Sequence, residues 1–222
     1  MQRKSTLREY AESFLFSVVV VLFVRTFLAE AVQIPTRSME DTLLPGDHLF
    51  INKFVFRLYR EEEPSAFLPF LRVRRRDVVV FKHFESPGRA IYYVKRVIGL
   101  PGDAVEIRSK QVYINGEALD EPYALFKEPW RRDLRPRDNF GPLAVTPNHF
   151  FVLGDNRDRS YDSRFWGLLA RERIVGKPMF VWWSFETHDS PVWTTDPGAK
   201  LEGALSSLFR RIRWSRTGKF ID

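Results

Sequence analysis

A serine near the N-terminus and a lysine far downstream, Ser38 and Lys95, are the side chains whose types and settings allow nucleophilic chemistry. Ser38 sits in Ile34-Pro35-Thr36-Arg37-Ser38-Met39, beside a rigid proline and with no histidine nearby in sequence to serve as its base. A serine in such a stretch is most often a surface hydroxyl or a cap. Lys95 changes the weighting. It lies in Ala90–Gly99, an apolar run in which a period of two puts Tyr93, Lys95 and Val97 on one face and Tyr92, Val94, Arg96 and Ile98 on the other. A lysine flanked this way is either an edge residue snorkelling outward or an amine held dry, whose pKa falls. A dry amine that loses its charge near neutrality can take the proton of a serine hydroxyl.

Positioning those two groups requires a folded body. Its sequence reads as mostly β. Leu49–Phe54 follows the turn Pro45-Gly46-Asp47, and Val78–Phe81 is an apolar run of buried-strand type. Val105–Ile107 and Val112–Ile114 form hairpin strands around Ser109-Lys110, and Asn115-Gly116 is a two-residue hairpin turn. Phe150–Leu153 is a strand running into the polar stretch Gly154–Gly167, which reads as a loop held by internal Asp–Arg pairs. Ile174–Trp183 is the last strand region. Residues 104–147 read as an annex inserted into the body, and residues 200–220 as an amphipathic C-terminal helix with Leu205, Leu208, Phe209 and Ile212 on one stripe. The acidic run Glu61-Glu62-Glu63 reads as a solvated loop.

Ahead of the body lies one membrane-length segment. Residues 1–9 are short and basic, with Arg3, Lys4 and Arg8, and residues 10–29 are mostly apolar and carry charge only at Glu12 and Arg25. About 20 residues span a bilayer as a helix, with Arg25 snorkelling near one end. The basic flank places the N-terminus in the cytoplasm and residues 30–222 outside. The competing reading is a cleaved leader ending at Ala29-Glu30-Ala31. The chain has 35 Lys+Arg against 28 Asp+Glu, a net charge of +7. Two of its three basic clusters flank apolar segments, favouring a phospholipid surface over nucleic acid. Cysteine is absent, which excludes disulfides and thiolate metal sites. The four histidines have no ligand spacing, and His188-Asp189-Ser190 cannot converge as a triad, so neither metal nor cofactor is expected.

Four stretches together resemble the bacterial type I signal peptidases. They are Ser38-Met39 with Thr42-Leu43, Gly46-Asp47 followed by Lys53, Tyr93–Asp103, and Gly154–Gly167. This chain departs from the family at Asp41, where proline is frequent, and at Arg37 and Arg76, where glycine is frequent. The resemblance implies a transmembrane helix followed by a mostly antiparallel β-sheet catalytic domain with a small β-hairpin annex. It implies a Ser38 nucleophile, a Lys95 general base, and an oxyanion hole from the Ser38 N–H and the Thr36 hydroxyl. Ser160 would hydrogen-bond Lys95, Asp162 and Arg164 would pair behind it, and Asp155 would steady the same loop. Val32, Ile34, Pro35, Tyr93 and Val94 would line shallow apolar pockets for Ala-x-Ala sites in signal peptides of exported preproteins. The implied location is the outer face of a bacterial plasma membrane. Alternatives are a self-cleaving Ser/Lys peptidase of the repressor type, which the membrane segment argues against, and a non-catalytic membrane-anchored β-domain that binds peptides.

Overall fold

A computed structural model of the chain describes residues 6–24, 29–53, 72–86, 89–128, 130, 136–186 and 211–221. The first element is helix α1, Thr6–Phe23. It ends short of the membrane segment expected from sequence, because Ala29 already belongs to strand β1, Ala29–Gln33. Among the described residues no helix is long and apolar enough to cross a membrane. Arg25 and the acidic run Glu61–Glu63 lie outside the described residues, as do Leu205, Leu208 and Phe209.

The body is mainly antiparallel β. β1 pairs residue for residue with β2, Asp47–Asn52, so that Val32 faces Leu49. β3, Val78–Ser86, and β4, Arg89–Gly99, form a long hairpin in which Val79 sits opposite Lys95. The annex follows as β5, Ala104–Arg108, β6, Gln111–Ile114, β7, Glu117–Ala118, and β8, Phe140–Ala144. The main sheet is completed by β9, His149–Leu153, β10, Leu169–Ala170, and β11, Ile174–Ser184. Its seven strands run β1-β2-β11-β3-β4-β9-β10, and the annex sheet runs β7-β6-β5-β8. The two hairpin turns of the annex place Ser109, Lys110, Asn115 and Gly116 at positive φ, the left-handed geometry that matches the twist of adjoining strands.

β3 is apolar on both faces because both are covered. Val78 and Val80 pack with Val32, Ile34, Met39, Leu43 and Val94, whereas Val79 and Phe81 pack with Val97, Phe150 and Val152. A third cluster, including Ile98, Val105, Ile107, Phe151 and Leu153, joins the main sheet to the annex.

The C-terminus corrects the expected helix where it is described. From Ile212 onward the chain is an arm lying along β11, with a 3-10 turn at Trp214–Arg216. Ile212 bridges to Phe185 and Phe220 to Phe180. Its backbone is committed elsewhere than to helix: Ile221 N–H donates to Met179 O and Gly218 N–H to Val181 O. Gly218 adopts φ +83 at the bend.

Candidate active site

The turn that carries Ser38 grows out of the β1–β2 pair. Ile34 N–H donates to Asp47 O at 2.8 Å, and Gly46 N–H returns to Ile34 O at 2.9 Å. Pro35, Thr36 and Arg37 then swing outward, and the apolar side chains of Met39 and Leu43, 1% and 0% exposed, bring the chain back into the core. Ser38 is thereby held against the body, itself buried. Asp41 takes φ +75 in this turn. Proline is locked near −65°, so the proline frequent here in the resembling family could not follow this path.

Lys95 approaches from β4. It is 3% exposed, and its Nζ donates to Ser38 Oγ at 2.5 Å, while lying 5.3 Å from the centre of the Tyr93 ring. Burial lowers its pKa to about 8; the Asp162 and Asp155 carboxylates oppose that fall and the Arg164 guanidinium assists it. The largest effect is the loss of hydration of the ammonium.

The polar loop after β9 braces both groups. Asn156 N–H donates to Ser38 O at 3.1 Å, and its Nδ2 reaches Arg37 O and Glu40 Oε2. Gly154 lets this contact form, because a side chain there would collide with Ser160 Oγ and with Ser38 O. Asp155 accepts from Thr42 Oγ1 at 2.6 Å and from Arg96 Nε and Nη2 at 2.9 and 2.8 Å. It ties the Ser38 turn to the strand of Lys95. Arg164 Nε donates to Asp162 Oδ1 at 2.8 Å in a fully buried pair. Burial pushes the Asp162 carboxyl upward, but the charge and hydrogen bonds of Arg164, aided by the Ser160 hydroxyl and Lys95, outweigh it and lower its pKa.

Ser160 Oγ is buried beside Gly154 and close enough to Asp162 to help lower its pKa; it makes no hydrogen bond to Lys95 among the described residues. Thr36 Oγ1 is 3.3 Å from Ser38 Oγ. The Ser38 N–H has no acceptor among the described residues, while the Thr36 hydroxyl is within hydrogen-bond distance of Ser38 Oγ.

A cavity of about 130 Å³ opens over Ser38 and Lys95. Ile34, Pro35, Tyr93 and Val94 line it, and Val32 belongs to the core cluster that holds Ile34 and Val94. Met39, Tyr92, Arg159 and Tyr161 also line it and were not anticipated; the last two belong to the polar run that sequence reading treated only as a braced loop. A larger cavity of about 720 Å³ lies on the far side of Tyr92 and holds neither Ser38 nor Lys95. At that boundary Tyr92 Oη donates to Glu30, which also pairs with Lys53 at 2.7 Å. Two strand edges border the small cavity. Among the described residues β1 ends the main sheet with one edge unpaired, and β9 pairs with β4 only from Arg96 onward, leaving an edge of Ile91–Lys95 without a strand partner. Among the described residues no group of His, Asp or Glu could hold a metal ion.

Comparison with known proteins points the same way as the geometry. The family model described as signal peptidase, peptidase S26, matches residues 7–183. A signal peptidase I of Leptolyngbya laminosa is 38% identical over 81% of this chain and 81% of its own length. A probable signal peptidase I-2 of Synechocystis is 36% identical over 81% of this chain and 75% of its own. Signal peptidase I S of Bacillus subtilis is 35% identical over 83% of this chain and 94% of its own. A crystal structure of a signal peptidase I from Enterococcus faecalis aligns over 48% of this chain and 96% of its own at 32% identity, with a TM-score of 0.37.

Proposed function

The chain belongs to the type I signal peptidases of the peptidase S26 family, serine endopeptidases that are hydrolases, and from that membership we propose that Ser38 and Lys95 form its catalytic pair. The observation that carries the proposal is the buried, weakly basic amine of Lys95 at 2.5 Å from Ser38 Oγ. The neutral amine takes the Ser38 proton as Oγ attacks the scissile carbonyl carbon. The oxyanion forms against the Ser38 N–H and the Thr36 hydroxyl. The Lys95 ammonium then protonates the departing amine, leaving an ester on Ser38. Water, deprotonated by Lys95, hydrolyses that ester and restores the serine.

The substrate is an exported preprotein, cleaved after its N-terminal signal peptide. The segment before the bond lies extended along the open edges of β1 and β4, adding backbone hydrogen bonds to either strand. Small side chains of an Ala-x-Ala site suit a cavity of about 130 Å³ walled by Ile34, Tyr93 and Val94. Asp155, Asp162, Arg164 and Ser160 act through the loop that positions the pair.

The enzyme works at the bacterial plasma membrane, with its N-terminus cytoplasmic and its body on the outer face. The apolar residues of α1 support this placement: Phe14, Leu15 and Phe16 are 73%, 64% and 71% exposed, surface that lipid covers readily. The test is cleavage of a preprotein with an Ala-x-Ala site by detergent-solubilised protein, comparing wild type with Ser38→Ala and Lys95→Ala. Correct cleavage by wild type, lost in both folded variants, supports the pair. Cleavage persisting in both sinks it, and no cleavage by folded wild type across several preproteins favours a peptide-binding domain.

A further inference from the structure

Arg159 has no part in the mechanism above, yet its side chain lines the catalytic cavity from the braced loop, next to Tyr161. Its backbone is fixed, with Arg159 N–H donating to Asn156 O at 3.1 Å. Its guanidinium is 48% exposed and makes one long contact, Nε to Glu128 Oε1 at 3.4 Å. Glu128 is also engaged by Arg137 at 3.3 Å, so Arg159 is weakly held and able to turn toward a ligand. Lys95 is the other cationic residue lining this cavity, and it is committed to Ser38.

The position of the loop decides which part of a substrate Arg159 meets. The open edges of β1 and β4, with Ile34 and Val94, lie on the N-terminal side of the nucleophile turn and suit the acyl segment. The loop is docked on the other side of that turn, through Asn156 on Arg37 O, Ser38 O and Glu40. Arg159 and Tyr161 line the same cavity as Ile34, Tyr93 and Val94, and on the mechanism above a peptide whose acyl segment follows the β1 and β4 edges sends its leaving segment past Lys95 toward this loop.

We propose that Arg159 is a specificity-determining residue that favours a carboxylate in the first two residues after the cleaved bond. This rests on the peptide-hydrolysis reading of the same site. An acidic side chain there exchanges the long contact to Glu128 for a direct ion pair with the guanidinium, and a lysine there meets repulsion. The pair is partly exposed, so the effect is modest, about two- to fivefold in kcat/KM between acidic and neutral substrates, and screened by salt.

The experiment uses full-length protein in detergent and peptides that share one Ala-x-Ala signal but carry Glu, Gln or Lys after the bond. Wild type should cleave the Glu peptide fastest and the Lys peptide slowest, with the ratio shrinking as salt is raised. Arg159→Gln should bring the ratio close to one, and Arg159→Glu should invert it. A Glu/Lys ratio that is the same in wild type and both variants overturns the proposal. So does a wild-type ratio indifferent to salt, or a charge preference residing instead at the residue between the two alanines. Failure of wild type to cleave any peptide removes the hydrolase reading itself, whereas cleavage indifferent to charge removes only the role of Arg159.

Discussion

On the proposed mechanism Lys95 trades stability for chemistry, and both sides of the exchange are measurable. With a pKa of about 8 against the ordinary 10.5, about one molecule in ten carries a neutral amine at pH 7, compared with about one in three thousand for an ordinary lysine. If Lys95 is the base, kcat/KM should rise about tenfold per pH unit below pH 8 and level off above it; a flat profile from pH 6 to 9 would contradict that role. The stability sign follows from the same shift. The folded pKa is depressed, so the burial penalty on the ammonium is fully present below pH 8 and disappears as pH rises toward the unfolded value of 10.5. Lys95→Met should therefore stabilise the protein at pH 7, by up to about 3 kcal/mol, with the gain shrinking between pH 8 and 10. Urea unfolding at pH 7, 8.5 and 10 checks it. Thr36 offers an independent probe of the proposed oxyanion hole. Thr36→Val keeps the shape and removes the hydroxyl, and should lower kcat by about 10²–10³ with little change in KM; an equal change in KM alone would assign Thr36 to substrate binding instead.

Elements place these residues through carboxylates buried far from their partners in sequence. Asp47 begins β2 at 0% exposure and accepts from Leu44 N–H, Ser184 Oγ and Arg216 Nη2 at 2.8, 2.6 and 2.6 Å. Arg216 also donates to Thr42 O at 3.0 Å, so the C-terminal arm clasps the loop between Ser38 and β2. Arg216→Ala leaves the Asp47 charge with fewer partners and should cost about 3 kcal/mol in chemical denaturation, with kcat for peptide cleavage falling as the nucleophile turn loosens. A denaturation midpoint equal to wild type would show that the arm holds nothing. This clasp was not readable beforehand, because Arg216 and Asp47 are 169 positions apart and each alone looks like a surface charge. Arg96 and Asp155, 59 apart, were hidden in the same way. The strands β2, β3, β4, β9 and β11 were readable, since apolar runs of β-branched and aromatic residues mark a doubly covered sheet. β1 was not: Ala-Glu-Ala-Val-Gln has little β character and comes soon after an apolar helix. β8 was masked by Gly141-Pro142. The C-terminal stripe suggested a helix because apolar spacing does not reveal a neighbouring strand, and the edge of β11 supplies backbone partners that a helix would have supplied internally. At the site, the setting of Lys95 between Tyr93 and Val97 left two readings open, an outward edge lysine and a dry amine, and only the fold, which leaves it 3% exposed, decides for the second. Arg159 was not legible, because its value lies in where a loop docks.

At the scale of the whole molecule, the question is what covers its apolar surface. α1 is exposed around its circumference from Tyr10 to Val24, whereas a helix apolar on all sides is ordinarily buried in protein or lipid. Val20, Val21 and Val24 border a groove with Phe50, and the Phe50 ring lies 5.4 Å from Phe180 and 5.7 Å from Trp182. The row continues through Trp183 to Trp214, which is 58% exposed, and through Phe180 to Phe220, which is 72% exposed. Helix and aromatic face therefore adjoin, an arrangement suited to a bilayer whose interface accommodates tryptophan. Replacing Leu15, Val19 and Leu22 together by Gln puts three amides on the outer stripe of α1, remote from Ser38 and Lys95. Flotation with phospholipid vesicles should then fall sharply. Cleavage of a preprotein embedded in those vesicles should fall with it, while cleavage of a short soluble peptide should stay within about twofold of wild type, because surface changes far from a site seldom reach it. Flotation equal to wild type would mean that α1 does not anchor the protein and that the aromatic face, or a partner protein, carries the association. A parallel loss on the soluble peptide would instead show that α1 supports the catalytic body directly, through the groove at Phe50.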